Sequence, residues 1–158
     1  MKKRIAILLL SLSVVLLLFI AEKQFLTEKT IVINEVRSWN VDVTRTGYYG
    51  SDYIELYNTS KEEISLDGWY LSDDESDLLK SRLSEMAIGA KDYALIYANG
   101  QGDTGDSVLF KINPEGEKIF LSNPEGKLVD SIYVPKQELG TVYARVTDGE
   151  DMWNIMEP

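Results

Sequence analysis

Carboxylates are the main chemical stock of this chain, and two groupings of them have the type and spacing to do work. Glu35 and Glu55 each lie within a short run of alternating apolar and polar residues, and two strand-borne carboxylates can act as acid and base in glycoside hydrolysis. That chemistry needs them to face a common substrate. The plainer reading is a pair of solvated or hydrogen-bonded strand carboxylates, the ordinary state of charged residues in a β domain. The second grouping is the acidic loop Asp73, Asp74, Glu75 and Asp77, with Asp103 and Asp106 in a later Gly-containing loop. Calcium takes roughly six to eight oxygens, so Asp73, Asp74 and Asp77 are the candidate calcium ligands. Their spacing is not that of an EF-hand, and acidic loops also serve solubility.

What is missing narrows the chemistry further. The chain has no His and no Cys, which removes histidine triads, imidazole proton shuttles, disulfides and thiolate metal sites. It has no glycine-rich phosphate loop and no dinucleotide fingerprint. Beyond calcium no cofactor is expected. The remaining recognition chemistry is aromatic: Trp39, Tyr48 and Tyr49 surround Arg45 in the segment from Arg37 to Ser51. Such a loop either closes the end of a sandwich or offers its rings to a partner, and these four are the candidate binding residues.

The elements that must position these groups read as strands. Runs with period-two patterning fall at Ile31 to Arg37, Tyr53 to Tyr57, Ile64 to Leu71, Tyr93 to Ala98, Val108 to Ile112, Lys118 to Leu121, Leu128 to Val134 and Val142 to Arg145. Two near-identical corners, Asn113-Pro114-Glu115-Gly116 and Asn123-Pro124-Glu125-Gly126, have the proline and glycine placement of type I turns. Glu75 to Ser84 could hold one helical turn. Trp69 and Trp153 are expected in the core, because large rings fill a sandwich interior.

Three runs in order, IVINEV from Ile31, DYIELYN from Asp52 and LDGWYLSD from Leu66, resemble the lamin tail domain family in its exported bacterial form. GEKIFLSNPEGKLVDSI from Gly116 resembles that family's late hairpin. TVYARVTDGEDMW from Thr141 resembles its closing Arg, Asp-Gly and Trp signature. The resemblance implies an all-β, immunoglobulin-like sandwich over residues 31–158, and a non-catalytic interaction module that recognises a protein or an envelope polymer. It also implies an alternative. Exported bacterial members are often joined to a spore-coat-like kinase domain, so the chain could be the accessory domain of such an enzyme system or a fragment split from it. Leu83 to Met86 departs from the Phe-Pro pair usual in the family, and the loop from Gln101 to Ser107 is richer in Gly and Asp.

Ahead of the domain, Lys2, Lys3 and Arg4 precede an apolar run from Ile5 to Ala21. This reads as a hydrophobic export helix over residues 1–22, either a cleaved signal peptide or a membrane anchor through residues 5–21, with 23–30 as a linker. Bulky Phe19 near a cleavage point after Ala21 favours the anchor. The expected location is the outer face of the cytoplasmic membrane or the secreted fraction. Charge divides along the chain. Five of 16 basic and two of 26 acidic residues lie in the first thirty, leaving 11 − 24 = −13 on residues 31–158. Such a field repels nucleic acid. The closest approach to a basic patch along the sequence is Lys80 with Arg82, and it sits among acids. No nucleic-acid partner is expected.

Overall fold

A computed structural model describes residues 29–38 and 52–157. Eleven strands make up its regular structure: β1 (Ile31–Arg37), β2 (Tyr53–Asn58), β3 (Ile64–Ser65), β4 (Tyr70–Ser72), β5 (Ser81–Arg82), β6 (Ala87–Ile88), β7 (Tyr93–Tyr97), β8 (Gly116–Ser122), β9 (Leu128–Pro135), β10 (Val142–Arg145) and β11 (Trp153–Met156). No helix occurs among the described residues. One sheet runs β11-β10-β1-β2-β7 and the other β5-β4-β8-β9, with β3 and β6 forming a small ribbon. The sheets stack as a sandwich. All pairings within them are antiparallel.

Period-two patterning places the core. Ile31, Ile33 and Val36 of β1, Ile54 and Leu56 of β2, and Ile96 of β7 meet Leu71 of β4 with Ile119 and Leu121 of β8, all without solvent exposure. Each such side chain contributes about 1.5–3 kcal/mol by leaving water. Between Ile33 and Glu35 the β1–β2 register slips by a bulge, so Ile33 and Val36 both turn inward although three positions apart. A strict alternation would have put one of them in solvent.

Three expectations about elements are corrected. Ile64 to Leu71 is two strands in different sheets, because Gly68 adopts a left-handed φ of +81°; the chain turns there, with Trp69 N–H donating to Leu66 O at 3.0 Å. Val108 to Ile112 buries alternate residues as a strand would yet forms none. Val108 N–H donates to Tyr97 O at 3.0 Å, but two later amides are taken by side chains: Leu109 N–H donates to Ser81 Oγ at 2.9 Å and Ile112 N–H to Asp52 Oδ2 at 3.0 Å. Glu75 to Ser84 holds turns and β5, with no helical turn. Trp69 is buried, whereas Trp153 is only partly so and stacks on Tyr143 at 5.1 Å. The two Asn-Pro-Glu-Gly corners stand where expected, closed by Gly116 N–H to Asn113 O at 3.0 Å and Gly126 N–H to Asn123 O at 2.8 Å.

Candidate functional site

The signature-like residues Asp52 and Asn58 are engaged in holding the fold. Asp52 accepts from Ile112 as above, tying β2 to the segment after β7. Asn58 is fully buried; its Nδ2 donates to Glu62 O at 2.7 Å and Ile88 O at 2.9 Å, and its Oδ1 accepts from Ser60 N–H at 2.9 Å. A short polar side chain with both donors and acceptor satisfied can stand in for missing ladder bonds at a strand end.

The outer face of the five-stranded sheet is different. Register pairs Glu35 with Glu55, Glu55 with Leu95, Tyr53 with Tyr97 and Tyr57 with Tyr93. The two glutamates are therefore cross-strand neighbours on one face, which the sequence left open. Tyr53 donates its hydroxyl to Glu35. Glu55 Oε1 accepts from Asn34 Nδ2 at 3.0 Å, and the same Nδ2 reaches Asp148 Oδ1 at 3.0 Å. Asn34 Oδ1 in turn accepts from Gly149 N–H at 3.2 Å, so the β10–β11 loop is folded down onto this face. Tyr93 donates to the other Asp148 oxygen and packs on Tyr57 with ring centroids 5.0 Å apart.

Electrostatics follow from this crowding. Burial raises the Glu55 pKa above the ordinary carboxylate value, and the charges of Glu35 and Asp148 push it the same way against the Asn34 hydrogen bond. The Tyr53 hydroxyl is held in its protonated form, first by burial and then by its bond to Glu35. For Tyr93 the bond to Asp148 is the leading cause. Each carboxylate has a protein donor, and neither glutamate lines the described surface pockets. The pair lies on the outer sheet face, and each carboxyl group accepts a hydrogen bond from the neighbouring strand, Glu35 from Tyr53 and Glu55 from Asn34.

What this face offers is contact area. Tyr93, Leu95 and Tyr97 of edge strand β7 are 42, 41 and 40 % exposed, while the intervening Ala94 and Ile96 pack inward. The alternation of YALIY carried this signal. The loop residues Trp39, Arg45, Tyr48 and Tyr49 lie outside the described residues; their segment leaves β1 at Arg37 and re-enters at Tyr53, beside Tyr97.

The acidic loop is arranged around Lys80, whose charged form is favoured first by its bond to Asp73 and then by the charges of Asp73, Asp74 and Asp77. Among the described residues no three acidic side chains converge to hold a metal ion. Asp73 is paired with Lys80 Nζ at 2.7 Å, Asp74 caps its own turn through Ser76, and Asp77 accepts from Leu79 N–H. The Ser76 bonds hold Asp74 below the usual carboxylate range.

A model of the Lamin Tail Domain matches residues 26–136, more than two thirds of the chain, and agrees with the all-β sandwich. The chain belongs to the lamin tail domain family. This is a family of immunoglobulin-like, generally non-catalytic domains. No curated protein matches the chain. In this lamin tail domain the last two strands, β10 and β11, lie past the matched residues and complete the larger sheet. The strands carry Arg145 and Trp153 and their connecting loop carries Asp148 and Gly149; Arg145, Asp148 and Gly149 reach back into the matched part by hydrogen bonds.

Proposed function

We propose that this lamin tail domain is a non-catalytic interaction module displayed outside the cytoplasmic membrane, held there by the apolar segment Ile5 to Ala21 or released from it. It recognises a protein or an envelope polymer through the outer face of β1, β2 and β7. The observation that carries this reading is the contiguous exposure of Tyr93, Leu95 and Tyr97 beside Tyr53 and the acceptors Glu35 and Glu55. Grouped aromatics with polar neighbours are what interfaces are enriched in. Rings supply area at small entropic cost, and carboxylates accept hydrogen bonds from hydroxyls or ammonium groups. The loop bearing Trp39, Arg45, Tyr48 and Tyr49 extends this surface in sequence from its Arg37 and Tyr53 end.

Binding of the full chain to isolated envelope material from the source cells tests the reading, with wild type set against Tyr93→Ala/Tyr97→Ala. Weaker binding by a variant that still unfolds cooperatively supports it, and equal binding overturns it. Fractionation tests the location: a species at the outer membrane face or in the medium is expected, and a cytoplasmic species overturns the placement.

A further inference from the structure

The acidic chain gathers three lysines at one end of the sandwich with no acidic residue among the described lining residues. A pocket of about 540 Å³ is lined by Lys29, Thr59, Ser60, Lys61, Lys91 and Gly149, together with Thr30. The register explains how they meet. Ile31 pairs with Asn58 and Tyr57 with Tyr93, so the entry to β1, the exit of β2 and the entry to β7 lie side by side. Each contributes a lysine, and the β10–β11 loop closes the side through Gly149. These residues are up to 120 positions apart in the chain, which is why no basic patch was legible along it.

The ammonium groups are not equivalent. Lys29 Nζ is 2.9 Å from the buried Asp130, which also pairs with Arg145. That lysine is fixed, and its charge is largely spent. Lys91 Nζ is held by the carbonyl of Thr59, a contact that directs the group without neutralising it, and Lys61 has no ion pair among those of the described residues. Asp148, next to Gly149, is turned to Asn34 and Tyr93. Lys29 also lies 3.9 Å from Asp151, so the charge left to the pocket is that of Lys61 and Lys91, which Glu62, Glu63 and Asp92 adjoin along the chain.

We infer that this pocket binds a single phosphate-bearing anion. Ammonium groups act as point charges toward phosphate oxygens; the Thr59 and Ser60 hydroxyls already donate to Lys29 O and Glu62 O, so the lysines carry the recognition. The surrounding field repels an extended polyanion, so the ligand is one phosphate group, free or at the end of a larger molecule. A lipid headgroup is one source. Seven residues separate Ala21 from Lys29, a reach of at most about 25 Å of extended chain from an apolar segment held in a membrane. Free phosphate esters are the other source.

The full chain in non-ionic detergent micelles is titrated with inorganic phosphate at constant ionic strength, and the Gly149 amide resonance is followed. Saturable displacement is expected, weakened about tenfold or more in Lys61→Gln/Lys91→Asn. Asn is chosen because Lys91 has a left-handed φ of 57°, which Asn tolerates, and Lys29 is left intact because it serves Asp130. Doping the micelles with phosphatidylglycerol, against phosphatidylcholine, separates the sources. Tighter response to free phosphate assigns a soluble ester, and tighter response to phosphatidylglycerol assigns a headgroup. No saturable response to either overturns the inference, as does a response unchanged in the double variant at an unaltered thermal midpoint. Neither result bears on the tyrosine face.

Discussion

Arg145 Nη2 lies 3.0 Å from Asp130 Oδ2 across the sandwich, with the side chains 2 and 3 % exposed. The pair is also bonded to β1: Ile33 N–H donates to Asp130 Oδ2 at 3.0 Å and Ile33 O accepts from Arg145 Nε at 2.8 Å. Pairing of β1 with β10 stops at Glu35, so these side chains occupy backbone groups that the ladder leaves. Arg145 also lies over the Trp153 ring at 4.7 Å. Two sheets and the strand beyond the family match are joined at one point.

Removing one member of this pair strands a buried charge. Asp130→Ala is expected to destabilise the domain by about 3–5 kcal/mol, measured by denaturant unfolding. Arg145→Ala should cost less, because Lys29 still faces Asp130. Ending the chain after residue 136 removes Arg145 and two strands together and should abolish cooperative unfolding. A stable truncated domain would show that the matched residues suffice.

Glu55→Gln should stabilise the domain at neutral pH by less than about 1 kcal/mol, since solvent screens a half-buried site. Its folded-state pKa is raised, so the native chain keeps the proton longer. The associated stability is complete below the ordinary glutamate range and is lost as pH rises through the folded value. The gain of the variant should accordingly vanish in acid. Asp151 works the other way: Arg145, then Lys29, lowers its pKa, so its contribution is present above the ordinary aspartate range and lost as pH falls. Thermal midpoints of wild type and Glu55→Gln across the acid range check both signs.

Gly105 is required by a close backbone approach. A β-carbon there would lie 2.1 Å from Ser84 O. Gly105→Ala should cost more than about 2 kcal/mol, because backbone has to move. Gly140→Ala, with φ +82° but open space, should cost about 1–2 kcal/mol from conformation alone. Equal losses would mean the Ser84 contact relaxes freely.

Tyr93→Ala/Tyr97→Ala should lower the unfolding free energy by about 1 kcal/mol, through the lost Tyr93 contacts with Asp148 and Tyr57, while binding to envelope material falls about tenfold or more. Larger destabilisation would assign the rings to the packing of β7.

Alternation in YIELYN and YALIY, glycine at the two Asn-Pro-Glu-Gly corners and a cysteine-free composition determined a β-sandwich held by packing, because local periodicity and turn chemistry act over a few residues. The fracture of Ile64 to Leu71 was half legible in Gly68, whereas short β5, β6 and β11 were not, since a strand of two to four residues is defined by its partner. Only the tertiary structure made neighbours of Glu35 and Glu55, turned Asp148 and Gly149 onto Asn34, bonded Arg145 to Asp130, and gathered Lys29, Lys61 and Lys91. Those relationships depend on register and on which strand ends share one end of the sheet. Both are set by long-range pairing that no window of sequence contains.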